Sequence, residues 1–161
     1  TKKAVEWFQR KNGLTVDGIV GTQTFKALGM SGGSSGSGSS SSGYTNADTY
    51  LLARCIYAEA RGESYTGQVA VGAVVLNRVE SPDFPNTISG VIYQRHAFTA
   101  VSDGQINLTP DQTAINAAKD AMNGWDPTYG CLYYYNPVTA TSAWIFSRET
   151  VVTIGKHVFA I

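Results

Sequence analysis

The sequence predicts an α+β fold in which a helical core is followed by a small antiparallel sheet, with a small helical fragment before both. Residues 66–79 are apolar almost all round, which is typical of the central, buried helix of a small domain. Residues 131–135 and 151–159 have the aromatic and β-branched composition of strands, and a turn at residues 155–156 makes the second segment a hairpin. Residues 31–43 contain only serine and glycine, so they have no apolar surface to bury and separate a short arm from the main domain.

These features divide the chain into three predicted parts: an arm at residues 1–30, a flexible Ser/Gly linker at residues 31–46 and a main domain at residues 47–161. The main domain is long enough to bury a core, whereas an arm of this size normally needs a metal, disulfides or a partner to do so. The chain begins within a helical pattern and without a signal peptide, as we expect of a mature form or a fragment.

Charge and hydropathy argue against two classes of partner. Twelve basic and twelve acidic residues give a net charge of zero, and the basic residues are scattered. We therefore expect no nucleic-acid binding and no patch for anionic membranes. No apolar run approaches the ~18 residues that a membrane span requires, so we predict no membrane insertion.

The chain contains two cysteines, Cys55 and Cys131. One disulfide would suit an exported protein, but the sequence does not show whether the two Cα atoms approach within ~7 Å. Cys55 lies in a helical pattern and Cys131 precedes an aromatic strand, so buried free thiols are the favoured alternative.

The arm has the pattern of two short helices. The first is predicted over residues 2–12 and ends at Gly13. Residues 14–18 contain an extended segment and a turn, and a second helix is predicted over residues 22–28.

The main domain opens with a helix predicted over residues 47–60 and capped by Thr45 or Asn46. Cys55 and Glu59 are four residues apart and therefore share one face of this helix. Glu59 thus continues an apolar stripe on the side where the core is expected.

Further helices are predicted before the sheet. A short one covers residues 88–93, and residues 109–112 form a capping box that begins a helix ending near Asn123. Within the central helix, Gly67 and Gly72 would let a neighbouring backbone approach closely.

Glu59 is the best candidate for a catalytic group. Apolar neighbours disfavour the charged form of a carboxyl group, and a carboxylic acid that keeps its proton can deliver it to a glycosidic oxygen. The alternative is a surface glutamate near a helix end, or one paired with Arg54 or Arg61.

The arm contains a recognisable motif, FQRKNGLTVDGIVGTQTFKAL. It resembles the repeated half of the peptidoglycan-binding domain found on bacterial cell-wall hydrolases. The resemblance implies that residues 1–30 are a partial peptidoglycan-binding domain, of which only the final half is present.

Five motifs in the main domain occur in order: LLARCIYAEARGESYTGQVAVGAVVLNRV, FPNTISGVIYQ, AFTAVSDGQINLTPD, YYYNPVTATSAWIFSR and TIGKHVFA. They resemble the spore cortex-lytic enzymes of the cell-wall hydrolase family that includes germination enzymes, over essentially all of residues 47–161. The resemblance implies a fold related to lysozymes and lytic transglycosylases and a peptidoglycan substrate. It also implies that the glutamate of the YAEARGE-like motif, here Glu59, is the catalytic acid.

A second carboxylate would favour hydrolysis, since glycosidases usually hold two acids ~5 Å apart for retention or ~6.5–9.5 Å apart for inversion. Glu63 is four residues from Glu59, but Gly62 interrupts the helical spacing, and we expect Glu63 to be solvated. The other candidates lie in loops or near strand ends: Asp83, Asp103 and Glu149.

A lone acid fits a lytic transglycosylase, to which the resemblance also points. The same glutamate protonates the leaving oxygen and then accepts the proton of the sugar's 6-hydroxyl, which closes a 1,6-anhydro ring. We therefore predict cleavage of the MurNAc–GlcNAc bond of spore cortex peptidoglycan during germination. A hydrolytic muramidase or glucosaminidase, or a non-catalytic wall-binding protein, is the alternative.

Substrate-binding candidates come from the motifs that the family uses around its cleft. Aromatic rings stack on sugars, and amides and hydroxyls bond to their polar edges. Strand alternation puts Tyr133 and Tyr135 on one side and Tyr134 on the other. His157 either lines the cleft or anchors the last hairpin. The predicted set is Phe98, Thr99, Gln105, Tyr133, Tyr135, Asn136 and His157.

No metal site or cofactor is predicted, since neither His96 nor His157 has carboxylates or cysteines at ligand spacing. The predicted partners are the glycan strands of the spore cortex and an inhibitory or stabilising spore protein. The predicted location is exported, at the cortex and the outer face of the inner membrane of a spore.

Overall fold

The computed structural model describes residues 2–14, 16, 18 and 44–161. The chain divides into two compact units, Thr1–Ser41 and Ser42–Ile161. The predicted second helix of the arm and residues 31–43 of the predicted linker at 31–46 lie outside the described residues.

In the first unit, helix α1 covers Lys2–Lys11. The turn after it contains Gly13, whose φ of +64° is a left-handed conformation that glycine adopts without strain. The carbonyl oxygen of Gln9 accepts a hydrogen bond from the Leu14 amide at 2.8 Å. The Gln9 side chain is buried and accepts from the Gly18 amide at 3.0 Å. The chain after α1 therefore folds back on the helix.

The second unit begins with helices and ends with a sheet, as predicted. Its helices are α2 (Asn46–Ala60), α3 (Tyr65–Glu80), α4 (Ile88–Ile92), α5 (Thr99–Ser102), a 3-10 turn (Gln105–Asn107), α6 (Gln112–Met122) and α7 (Ala143–Phe146). The bounds of α2 and α3 lie within one residue of the predicted ones. The sequence did not indicate α5, the 3-10 turn or α7, because three or four residues are too few for a periodic pattern. No helix in the described part of the chain is long and apolar enough to cross a bilayer.

Helix caps explain where the main helices begin. Thr45 caps α2 in a capping box with Asp48, which confirms one of the two predicted caps. The cap predicted for α6 within residues 109–112 is Asp111 and not Thr109, since the Asp111 carboxylate accepts from the Ala114 amide at 2.8 Å. Pro110 consequently precedes the cap and is buried.

The helical core forms around α3, whose residues from Gly67 to Arg78 are all buried. A Cβ atom at Gly72 would lie 2.8 Å from Cδ1 of Ile56 on α2 and 3.4 Å from Cβ of Ala121 on α6. Glycine at this position therefore lets both helices pack close to α3, as predicted.

The sheet has three antiparallel strands in the order β1-β3-β2: β1 (Tyr133–Tyr135), β2 (Thr150–Ile154) and β3 (His157–Ala160). The predicted hairpin turn at residues 155–156 joins β2 to β3, and Gly155 has a φ of +58°. Phe159 of β3 pairs with Tyr134 and packs against α3 in a second apolar cluster with Val71 and Val74. A helical core with a small antiparallel sheet confirms the predicted fold class.

Cys55 and Cys131 are both buried thiols and are not joined in a disulfide, so the disulfide alternative is wrong for this fold. Cys55 belongs to the helical core and Cys131 to the cluster beneath the sheet. Burial raises the pKa of the Cys55 thiol, which keeps it protonated and unreactive.

A buried carboxylate, Asp126, organises the loop between α6 and β1. One of its oxygens accepts from the Thr128 amide at 2.7 Å and the Thr128 hydroxyl at 2.6 Å. The other accepts from Asn77 Nδ2 of α3 at 2.8 Å and the Gly130 amide at 2.9 Å. Asn77 Nδ2 also donates to the Cys131 carbonyl at 3.1 Å, which ties the start of the sheet to the central helix.

We expect Asp126→Asn to lower the free energy of unfolding by about 2–3 kcal/mol, because an amide NH₂ would face donors that now bond to a carboxylate. Urea unfolding of both variants measures this. Asp83→Asn, the same change at an exposed turn residue, is the control and should cost less than about 0.5 kcal/mol. Equal effects of the two changes would show that the Asp126 network does not stabilise the fold.

Candidate active site

Glu59 lies in the last turn of α2 and is half-buried. Its Oε2 accepts a hydrogen bond from the Tyr134 hydroxyl at 2.9 Å, and its Oε1 accepts from the Ala100 amide at 3.3 Å. Arg54 donates instead to the Tyr93 hydroxyl and Arg61 to the Gln105 side chain, so the alternative of an ion pair with either arginine is wrong. Two neutral donors therefore hold the carboxyl group.

The Ala100 amide is available because of how α5 begins. Phe98 occupies the N-cap position and its side chain makes no capping hydrogen bond. The first amides of a helix need an acceptor from outside it. Glu59, from a helix distant in sequence, supplies one.

Tyr134 is the residue of the site that sequence reasoning missed. It lies at the centre of β1, with its ring 5.1 Å from the His157 ring and 5.9 Å from the Phe159 ring. Burial, and then the nearby Glu59, raise the pKa of Tyr134 well above its ordinary range. The hydroxyl therefore stays protonated and donates to Glu59.

Strand alternation was predicted correctly, since Tyr134 faces the core and Tyr133 and Tyr135 face the other way. The alternation alone did not show which side holds Glu59. That is decided by the pairing of Tyr134 with Phe159 and by packing on α3, which are contacts between distant parts of the chain.

Glu63 is not solvated, contrary to the prediction. Its side chain is 11% exposed, and its Oε2 accepts from the Lys156 amide at 3.4 Å. A Cβ atom at Gly155 would collide with the same carboxylate. Glu63 therefore packs against the β2–β3 turn, which only glycine at position 155 allows.

His157 lies at the start of β3, between Glu63 and Tyr134. Its Nδ1 is 3.9 Å from Oε1 of Glu63, and its ring meets the Tyr134 ring edge-on. Burial lowers the pKa of His157 from its ordinary value of 6.5; Glu63 and Glu59 act in the opposite direction and Lys156 in the same one. The imidazole is therefore neutral at neutral pH and supports the ring that holds Glu59.

The outward side of β1 carries a second group of rings. Tyr133 lies 5.1 Å from the Trp144 ring, and Tyr135 lies 5.2 Å from the Phe146 ring, both edge-on. Arg78 of α3 and Arg148 place their guanidinium groups 5.5 and 5.0 Å from the centre of the Tyr133 ring. Tyr133 and Tyr135 thus pack against Trp144 and Phe146, and Tyr134 is the strand tyrosine that bonds to Glu59.

The remaining candidates lie around α5 and the end of β1. Phe98 is 5% exposed and belongs to the core, so its ring is not available to stack on a sugar. Thr99 is exposed at the start of α5, and Gln105 bonds to Arg61 at 2.6 Å beside the end of α2. Asn136 accepts from the Val138 amide at 2.9 Å and turns the chain after β1.

Within residues 2–14, 16, 18 and 44–161, no group of three or more histidine, cysteine, aspartate or glutamate side chains is arranged to hold a metal ion. His96 is an exposed loop residue.

Comparison with known proteins gives two family matches. Residues 62–160 match the model described as cell wall hydrolase, and residues 1–28 match the putative peptidoglycan binding domain. Glu59 lies just before the first of these ranges.

Individual relatives extend over more of the chain. A spore cortex-lytic enzyme of Bacillus cereus is 48% identical and covers 97% of this chain, which spans 71% of that protein. The catalytic domain of the Bacillus cereus SleB protein matches with a TM-score of 0.71 and 59% identity, over 74% of this chain and 94% of that one. The catalytic domain of the germination-specific lytic transglycosylase SleB from Bacillus anthracis matches with a TM-score of 0.71 and 58% identity, over 74% and 98%.

We expect the free energy of unfolding to decrease as the pH falls, because of His157. Because its pKa is lower when folded than when unfolded, the unfolded chain binds more protons in this window. The contribution of His157 to the free energy of unfolding is fully present above about pH 6.5 and is lost as the pH falls through the pKa of the folded state. Each pH unit by which folding lowers this pKa corresponds to about 1.4 kcal/mol. Urea unfolding between pH 5 and pH 8 measures it.

The comparison variant is His157→Gln, which cannot titrate and should lose less stability between pH 7 and pH 5. His96→Gln, at the exposed histidine, should retain the pH dependence of the unsubstituted protein. If His157→Gln instead lost more stability on acidification, the ring would gain its proton in the folded state through Glu63, and the direction given above would be wrong.

Proposed function

The chain belongs to the cell wall hydrolase family, and on that premise we propose that it cleaves the glycan strands of spore cortex peptidoglycan as a lytic transglycosylase. The observation that carries the proposal is the carboxyl group of Glu59, held by the Tyr134 hydroxyl and the Ala100 amide. The names of the relatives support it, since one is a spore cortex-lytic enzyme and another a germination-specific lytic transglycosylase.

Glu59 first acts as a general acid. Its Oε2 is engaged by Tyr134 at 2.9 Å, whereas the bond from Ala100 to Oε1 is longer, at 3.3 Å. We therefore assign the transferable proton to Oε1. It passes to the oxygen that links N-acetylmuramic acid to N-acetylglucosamine, and the bond from that oxygen to C1 breaks.

Glu59 then acts as a base. The carboxylate left behind takes the proton of the 6-hydroxyl of the same N-acetylmuramic acid, whose oxygen bonds to C1. The ring closes to a 1,6-anhydro sugar, Glu59 recovers its proton, and no protein nucleophile or activated water is consumed. The Tyr134 and Ala100 donors stabilise the carboxylate between the two steps.

We expect Glu59→Gln to lower the rate of cortex digestion by about a thousandfold, because the amide keeps the shape of the side chain but has no proton to transfer. Glu80→Gln, the same change at an exposed residue at the end of α3, should leave the rate unchanged. Release of muropeptides from purified cortex fragments measures both. Undiminished digestion by Glu59→Gln would mean that Glu59 is not the acid.

The product masses test the reaction type in the same digestion. A lytic transglycosylase leaves ends that are lighter by one water than those of a hydrolytic muramidase or glucosaminidase. If all new ends carried the added water, the enzyme would be a hydrolase, and a second carboxylate such as Glu63 would have to be examined. A chain that binds cortex without releasing any product would be a wall-binding protein.

Tyr134 is a positioning residue in this scheme, since it acts through Glu59 and not on the sugar. We expect Tyr134→Phe to lower kcat by about ten- to a hundredfold with little change in KM, because it removes one hydrogen bond to a charged group.

Tyr50→Phe is the matched control, since Tyr50 is an exposed tyrosine on the same helix as Glu59. A Tyr134→Phe enzyme with unchanged kcat and reduced stability would show that the hydroxyl has only a structural role.

The first unit fits a wall-attached enzyme, because its sequence matches a peptidoglycan-binding domain over residues 1–28. We propose that it keeps the second unit near the cortex, outside the inner membrane of the spore. The inhibitory or stabilising spore protein stays a prediction from the family resemblance.

A further inference from the structure

The segment between β1 and β2 presents large apolar side chains to solvent. Trp144 and Phe146 of α7 are 53% and 48% exposed, and Val138 is 89% exposed. Exposed apolar groups that lie together on a small domain usually mark a contact surface. We call Tyr133, Tyr135, Trp144, Phe146 and Arg148 the aromatic surface.

The aromatic surface is held in place before any ligand arrives. Trp144 meets Tyr133 at an interplanar angle of 84°, and Phe146 meets Tyr135 at 80°. In each pair the strand residue is half-buried and the helix residue is about half exposed. The two tyrosines therefore fix two rings whose remaining area faces solvent.

Positive charge is interleaved with these rings. The Arg148 guanidinium lies 5.0 Å from the centre of the Tyr133 ring and 5.1 Å from that of Trp144, and its Nε donates to the Ile161 carbonyl at 2.8 Å. Among the residues that the structure describes, no side-chain carboxylate forms a salt bridge with Arg148. Its terminal nitrogens are therefore suited to an anion from outside.

Buried side chains connect the aromatic surface to the site around Glu59. The Arg78 guanidinium lies 5.5 Å from the centre of the Tyr133 ring and 5.5 Å from that of the Phe98 ring. Phe98 is the N-cap residue of α5, whose Ala100 amide binds Glu59. One row of packed side chains thus runs from the carboxyl group to α7.

We propose that the aromatic surface is a binding site for the uncleaved length of the glycan strand. Trp144 and Phe146 stack on the apolar faces of sugar rings, and Arg148 pairs with a carboxylate of the peptide attached to the strand. The proposal rests on the proposed function, because it takes peptidoglycan as the substrate. On the aromatic surface the rings of Trp144 and Phe146 lie beside the positive charge of Arg148, and in peptidoglycan the apolar faces of the sugars alternate with acidic peptide branches. This match favours a glycan strand over a second copy of the chain or a protein partner.

The test measures binding separately from cleavage. The full 161-residue chain carrying Glu59→Gln is mixed with purified peptidoglycan strands, and the bound fraction is read by sedimentation. We expect Trp144→Ala and Phe146→Ala each to weaken binding by about tenfold. Trp125→Ala is the control, since Trp125 is 43% exposed and contacts Tyr65 instead of the aromatic surface. Equal binding by the Trp144 and Trp125 variants would overturn the proposal.

Arg148 is tested with two substrates. Arg148→Gln should weaken binding to strands that carry peptides and leave binding to peptide-free strands unchanged, and Arg148→Lys should restore most of the loss. Thermal unfolding of each variant checks that the contact with Ile161 is not the cause. An equal loss on both substrates would remove Arg148 from the site.

Kinetics with Glu59 present give an independent readout. On long strands, Trp144→Ala should raise KM about tenfold at unchanged kcat, whereas cleavage of a tetrasaccharide should not change. If the variant altered only self-association or the capture of a protein partner, the aromatic surface would be a protein interface and the proposal would fail. A digestion without anhydro ends would overturn the proposed reaction while leaving these binding results interpretable.

Discussion

The hydrogen bond between Tyr134 and Glu59 is the contact on which the site depends, because it joins two segments that local structure alone would not bring together. Glu59 ends the first helix of the domain and Tyr134 is the middle residue of a strand near the end of the chain. The Tyr134 ring packs against both the helical core and the cluster beneath the sheet. The position of the Glu59 carboxyl group, the proposed acid, therefore follows from how the helical core and the sheet pack together.

Polar side chains at the end of α3 set how the helical core and the sheet pack together. Asn77 donates to Asp126 and to the Cys131 carbonyl, and Arg78 donates to the Leu132 carbonyl at 2.7 Å. Together they hold the two residues that precede β1. Burial lowers the pKa of Arg78, but a guanidinium remains charged at neutral pH, so this support does not change with mild acidification. Helix α3 is apolar along most of its length, and the polar side chains at its end align β1.

Much of the fold could be predicted because it is encoded locally. The capping box at Thr45, the apolar run of the central helix and the turn at Gly155 all act within a few residues. The proposed role of Glu59 was predicted from helical spacing and a family motif, but its two donors could not be found in this way. One is a backbone amide, which has no sequence signal, and the other depends on the pairing of Tyr134 with Phe159. Glu63 was misjudged for the same reason, since the turn that covers it lies more than ninety residues away.

The thiol state of Cys55 and Cys131 has a consequence for how the protein can be made and kept. No covalent cross-link has to form during folding, so maturation of the second unit needs no oxidase and no isomerase. Both thiols are fully buried and are shielded from peroxide and from exchange with small disulfides. The same folded domain is therefore expected on either side of a membrane, whatever the redox potential, and through long storage.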